Sequence, residues 1–205
     1  MRTPKIEALH RLIDWLNAYS KSPRSLFSLP HIGFLPLDKS PLSSNSWLAG
    51  LIDADGSFSI NYNLNANTLA TAVKVYMRLS QRQEYNHRDS SQPTSYLQLL
   101  ESIASLLATQ AKPFSRIHDH GLEQGILVVV KSLEARQALI TYLTAHPLLS
   151  SKHLDYLDWI AAHNLVVAKL TRTPEGTAQL TKLKVGMNNG RTLFDWSHLN
   201  EFRDN

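Results

Sequence analysis

Two runs of alternating residues restrict the fold of this chain more than any other feature. "SFSINYNLN" sets Phe58, Ile60, Tyr62 and Leu64 against Ser59, Asn61, Asn63 and Asn65. "AVKVYMRLSQRQ" sets Val73, Val75, Met77 and Leu79 against Lys74, Tyr76, Arg78, Ser80 and Arg82. A period of two marks a strand with one buried and one wet face, and the "NANT" between the runs reads as the turn of a hairpin. "PFSRIHDH" and "QGILVVVKS" predict a second hairpin, turning near Gly121. Helical spacing over 5–19, 96–108 and 132–144, with two more helices within 150–170 and 174–188, surrounds these pairs. The order predicts an α+β domain with one four-stranded antiparallel sheet. Each hairpin needs its apolar face covered, by helices 96–108 and 132–144, and the other face is then free.

That free face carries asparagines from one strand and Lys-Tyr-Arg-Ser-Arg from the other, with no acid until Glu84 beyond its end. A solvated sheet face explains it. So does a nucleic-acid interface, where Lys and Arg meet phosphates and Asn, Arg and Tyr read base edges. In the second hairpin Arg116 and His118 share one parity. His118, Asp119 and His120 have the residue types of a metal cluster, but such a triplet at a turn is more often simply solvated. The net charge of +4 and a pI near 9.3 permit a polyanionic partner without demanding one.

The second constraint is "WLAGLIDADGSFSI", residues 47–60. Its apolar and small residues form a helix over 47–55, with Ser46 as the expected N-cap and Gly56 at its end. Asp53 and Asp55 therefore stand where a buried helix stops, and a carboxylate there needs a partner or a metal. Gly50 and Ala54, four apart, share a helix face that lets another backbone approach closely. Such small residues often just accommodate a neighbouring helix, and acids at helix ends often just cap. If two copies of this helix pack across a twofold axis, however, two carboxylates arrive side by side, which is costly unless a divalent cation lies between them. Oxygen ligands suit Mg²⁺, and metal-assisted phosphodiester hydrolysis fits that arrangement.

Ahead of the motif, residues 1–45 read as an amphipathic helix followed by a connector with four prolines and many serines; residues 46–205 read as a single domain. Cysteine is absent, which excludes disulfides and thiolate metal sites. No apolar run approaches the ~20 residues of a membrane span. Glu7 and Asp14, inside the amphipathic pattern of the first twenty residues, argue against a secretory or transit peptide.

Leu48–Gly56 matches, letter for letter, the nonapeptide that defines the LAGLIDADG homing endonucleases, and the chain resembles that family beyond it. "LPLDKSPLSSNSWLAG" resembles the connector entering the second motif of two-repeat members from mitochondrial introns. "HPLLSSKHLDYLDW" and "MNNGRTLFDWSHL" resemble their C-terminal segments. The resemblance implies an αββαββα core whose sheet forms a saddle along DNA, with extra C-terminal helices. It implies that Asp55, with the backbone carbonyl of Ala54, binds the catalytic Mg²⁺, and that Asp53 is tied to the helix end. It also implies that Gln81 orients active-site water and that Lys152 is the lysine of the catalytic pocket, with Lys131 as a rival. Glu84 or Tyr85 stands where some members carry an arginine.

The DNA-facing set under this resemblance is Ser59, Asn61, Asn63, Asn65, Lys74, Tyr76, Arg78, Ser80, Arg82, Arg116 and His118, the face already found by alternation. One motif supplies half an active site, so the expected enzyme is a homodimer with Gly50, Leu51 and Ala54 at its interface; alternatively the chain is the second half of a two-repeat ancestor, pairing with itself or with a separate half. The homodimer would cut a long, roughly palindromic double-stranded DNA site to leave 3′ overhangs. The alternative is an intron RNA maturase, with intron RNA as its partner. The expected compartment is an organelle, the mitochondrion ahead of the chloroplast, with no membrane association.

Overall fold

A computed structural model describes residues 2–85, 94–119 and 121–202. Helix α1 (Ile6–Ser20) is followed by the connector, then α2 (Trp47–Asp55), which has the bounds read from the sequence. The first hairpin is β1 (Gly56–Leu64) and β2 (Ala70–Arg82). A two-residue pair, β3 (Glu84–Tyr85) and β4 (Thr94–Ser95), leads into α3 (Leu97–Leu106). The second hairpin is β5 (Ala111–His118) and β6 (Gly121–Val130), followed by α4 (Leu133–Ala145), α5 (Lys152–Val167) and α6 (Pro174–Gly186).

The four long strands form one antiparallel sheet in the order β1-β2-β6-β5. Register proves the alternation. Phe58 faces Met77 and Ile60 faces Val75 on the buried side, while Ser59 faces Tyr76 and Asn61 faces Lys74 on the open side. Between Asn61 and Asn63 the pairing skips a residue, and Ala72 takes φ 49° at that bulge. The extra residue reverses the parity of β2 before it, so Ala70 is buried and Thr71 pairs with Asn63.

More helices cover the apolar face than the two expected. Leu48 and Ile52 of α2, Leu100 and Ile103 of α3, Leu139 of α4, Trp159 of α5 and Leu180 of α6 all join one core, each fully buried. α5 lies over β1 and β2, and α3 lies over β5 and β6. Beyond α6, the Asn188 amide donates to the Phe58 carbonyl, and Arg191 donates to Asp155 (2.8 Å) and Asp158 (2.5 Å). These bonds pin the C-terminal segment to the β1 side of the domain.

The start of α2 differs from expectation. Ser46 has φ −80° and ψ 8° and makes no side-chain cap; its hydroxyl lies 3.5 Å from His146 Nδ1 instead. Two other groups serve the orphan amides of the first turn. Asn45 Oδ1 accepts from Trp47 N (3.1 Å), and the Tyr142 hydroxyl accepts from Ala49 N (3.0 Å) while donating to the Asn45 carbonyl (2.9 Å). At the other end Gly56 has ordinary extended dihedrals (φ −72°, ψ 153°), so it is not there for a left-handed turn. A Cβ on it would stand 2.7 Å from the Ile52 carbonyl oxygen, and that contact is what demands glycine.

The connector runs back along α1 as a strap. Asn17 bonds both to and from Ile32, His10 approaches the Leu35 carbonyl, and Arg2 donates to the Ser40 carbonyl at 2.6 Å. Arg2 also pairs with Asp38 (3.0 Å) and lies over the Trp47 ring, and Thr94 donates to Glu7. These contacts hold residues 2–7 against α2 and β4.

Candidate active site and nucleic-acid interface

The two acids of α2 have different surroundings. Asp53 Oδ2 accepts from Leu149 N (2.7 Å) and Ser150 N (3.3 Å), and its Oδ1 accepts from the Ser150 hydroxyl (2.7 Å). The turn before α5 thus engages both oxygens of its carboxylate. Asp55 is exposed, and its one hydrogen bond among the described residues is from Gln81 Nε2 to Oδ2 at 2.6 Å. Gln81 continues the core parity of Met77 and Leu79, so it reaches Asp55 from the helix-covered side of β2.

Asp55 and Gln81 line an open groove of about 870 Å³, with Arg82–Tyr85, Tyr96, the Gly121–Gln124 end of β6, and Lys5. Burial pushes the Tyr96 phenol above its ordinary pKa. The two lysines named from the sequence are placed differently from one another. Lys152 Nζ donates to the Ile52 carbonyl at 3.1 Å and braces the last turn of α2 from the α5 side. Burial holds its ammonium below the usual lysine range, with Asp53, Asp55 and Asp155 pulling the other way. Lys131 is exposed beyond the end of β6, and neither lysine lines the groove.

The donor set fits half of a hard-cation site. Asp55 offers an exposed carboxylate, and the Ala54 carbonyl belongs to the last helical turn, where helix carbonyls lack helical partners. Among the described residues no three His, Cys, Asp or Glu side chains converge as a metal cluster, so Asp55 is the acid that the motif helix brings to the groove, with Glu84 and Glu123 further along its wall. Gly50 and Ala54 are exposed and Leu51 is half-buried. A Cβ on Gly50 would meet nothing within 4 Å, so that helix face is bare in the single chain.

On the open sheet face stand Ser59, Asn61, Asn63, Lys74, Tyr76, Arg78, Ser80 and Arg82, as the alternation required. Asn61 Nδ2 donates to the Tyr76 hydroxyl (2.8 Å), and the Arg78 guanidinium lies 5.4 Å from the Tyr76 ring centre. Asn65 is placed differently: it lies past β1, and its Oδ1 accepts from Asn67 N and Leu69 N to build the turn. Arg116 is exposed and packs on Phe114. His118 pairs with Gly121 at the strand end; its side chain, like the whole of His120, lies outside the described residues.

Sequence reasoning missed Lys112 and Phe114, although the parity of Arg116 carried back along β5 finds both. Phe114 lies over Gly125, where a Cβ would come within 2.5 Å of its ring. It also missed Leu127 and Val129, half-buried in the middle of the open face. Tyr96 and Lys5 carried no local signal, because only the tertiary fold brings them to Asp55.

A saddle-sheet α+β domain, with one bare polar face and one exposed carboxylate at a helix end, is the class this geometry defines. The chain belongs to the LAGLIDADG endonuclease family, whose model matches residues 48–163. It is 32% identical to the intron-encoded DNA endonuclease aI3 of Saccharomyces cerevisiae over 97% of its own length and 52% of that protein. The chain therefore spans about half the length of this relative. Among solved structures it is similar to the homing endonuclease I-SmaMI bound to cleaved DNA (TM-score 0.57, 20% identity, 92% of this chain and 63% of that one). It is also similar to the homing endonuclease I-TnaI (TM-score 0.53, 17% identity, 77% of this chain and 94% of that one). These structures show the fold.

Proposed function

We propose that this chain is a site-specific homing endonuclease. As a homodimer it hydrolyses both strands of a long, roughly palindromic DNA site with Mg²⁺ and leaves 3′ overhangs. The observation that carries the reading is the division between the two acids: Asp53 is spent on structure, whereas Asp55 is exposed beside a bare helix face. Two copies joined through Gly50, Leu51 and Ala54 bring two such carboxylates together. A divalent cation held there supplies Lewis-acid activation of water and neutralises charge on the phosphate. Gln81, through its bond to Asp55, fixes the carboxylate and leaves its amide oxygen free to orient a water. The basic sheet face holds the duplex backbone through Lys74, Arg78, Arg82 and Arg116 and presents Asn61 and Tyr76 to base edges. The yeast relative's name supports a DNA substrate and an intron origin, and we extend the proposal to an organelle, the mitochondrion first. No helix among the described residues is long and apolar enough to cross a membrane.

The test is the mass of the complex on a library of long palindromic duplexes in Ca²⁺, followed by Mg²⁺ addition and a gel. A dimer that then cuts both strands, and an Asp55→Asn variant that binds but does not cut, are expected. A monomer on DNA that never cuts would refute the homodimer reading. Tight binding to intron RNA instead of DNA would refute the nuclease reading.

A further inference from the structure

The groove beside Asp55 holds a cation that the family motif does not contain. Lys5, at the start of α1, lines both the large groove and a smaller recess of about 70 Å³ formed with Thr3, Leu51, Asp55, Gln81 and Tyr96. We propose that Lys5 is a phosphate-contacting residue of the active site, delivered by the N-terminal segment and acting on the backbone of the strand being cut. The inference rests on the nuclease reading and adds a residue to it.

Three observations carry it. First, Lys5 is anchored from both sides. On one side Arg2 is 8% exposed, bonded to Ser40 and Asp38 and stacked over Trp47, and Pro4 is buried. On the other side Glu7 accepts from Thr94, one residue from β4's end and two from Tyr96. The main chain of Lys5 is therefore held at the mouth of the groove by contacts that its own side chain does not make. Second, the ammonium is uncommitted: Lys5 is exposed and makes no side-chain hydrogen bond or ion pair among the described residues. Third, Lys152 is already bound to the Ile52 carbonyl and Lys131 is absent from the groove wall, so Lys5 is the one lysine lining it among the described residues.

Chemistry supplies the role. As water adds to a phosphodiester, charge grows on the non-bridging oxygens, and a fixed cation near them stabilises the transition state more than the bound ground state. A lysine does this as a point charge and needs no proton transfer. The effect is smaller than in a closed site because the groove is open to water.

The experiment compares full-length wild type, Lys5→Met and Lys5→Arg on one cleavable duplex. Affinity and its salt dependence are measured in Ca²⁺, and single-turnover cleavage in Mg²⁺. Lys5→Met is expected to slow cleavage by about tenfold or more and to lower the salt slope of binding by about one. Lys5→Arg, which keeps the charge, is expected to recover most of the rate. Thermal melts of all three are expected to coincide, because the side chain is exposed. Lys5→Met cleaving at the wild-type rate would overturn the proposal while leaving the nuclease reading intact. Met and Arg variants that are equally slow would also overturn it, since a purely positional role ignores charge. Wild type that cuts no duplex would overturn both readings.

Discussion

Replacing Asp53 by asparagine preserves its shape but converts one of two acceptor oxygens into a donor. In the folded chain both oxygens accept: one from Leu149 N and Ser150 N, the other from the Ser150 hydroxyl. Hydrogen bonds to a charged group contribute about 1.5–3 kcal/mol each when measured singly. The three share one half-exposed carboxylate, so they do not add, and asparagine retains one acceptor. The expected loss is about 2–3 kcal/mol. For a domain of this size that lowers Tm by about 4–12 °C. Asp55→Asn, by contrast, alters an exposed side chain with one amide partner, and it should change stability by less than about 0.5 kcal/mol while abolishing cleavage. Urea unfolding of both variants checks this: the midpoint should fall for Asp53→Asn with the slope unchanged, and stay put for Asp55→Asn. Equal stability of Asp53→Asn and wild type would refute the division of labour between the acids, as would equal damage from the two variants.

Three further outcomes follow from the same geometry. Gly56→Ala places a methyl 2.7 Å from the Ile52 carbonyl oxygen and 2.8 Å from Ile52 Cγ2, so urea unfolding should show a loss of about 1–3 kcal/mol. Gly50→Ala meets no neighbour and removes a helical glycine, so in a monomeric sample it should stabilise the fold by up to about 1 kcal/mol; sedimentation should show that it nonetheless weakens any dimer. His163 is 4% exposed with an unpartnered Nδ1, and burial, then Arg136, hold its pKa below the ordinary 6.5. Below about pH 6.5 the unfolded chain therefore binds the proton that the folded chain refuses, and stability falls as pH falls, at most about 1.4 kcal/mol per pH unit for this group. His153, also held low by burial, adds to the slope. Melts of His163→Gln should show a shallower loss on acidification, and an unchanged slope would count against this assignment.

The sheet was readable because alternation is a local property with a single outcome. Phe58, Ile60, Val75, Met77 and Leu79 had to share a side, and Lys74, Tyr76 and Arg78 the other, whatever covered them. The bulge at Ala72 escaped because "ATAV" shows no break in pattern; only the buried Ala70 reveals the flipped parity. The β3–β4 pair escaped because two residues per strand are too few to alternate. Asn65 looked like the next step of a strand, yet an asparagine beside a turn is equally suited to accepting from the amides two and four residues on. Ser46 was the conventional cap, but Tyr142, 93 residues after Ala49, reached the amide first. Lys152 and Lys5 are the same lesson at the site. Resemblance could nominate a lysine, but only the packing of α5 and α1 decides which ammonium is tied to a carbonyl and which lines the groove.

The separate fates of the two acids were, in contrast, implicit in helix geometry. Each residue of an α-helix turns about 100°, so positions two apart differ by about 200° and point to opposite sides. One acid of an Asp-Ala-Asp triplet at a helix end must then face whatever packs beside the helix, while the other faces away from it. Here the side of Asp53 meets the turn 149–150, whose two amides and one hydroxyl neutralise it. The side of Asp55 meets Gln81 and an open groove. Gly50 and Ala54, four apart and so within about 40° of each other, lie between those directions on the face left bare. A helix built this way has one acid that fixes the domain, one that is free for a ligand, and a small-residue seam between them. Both acids and the seam are therefore needed for the proposed site, although of the two acids only Asp55 would touch the metal.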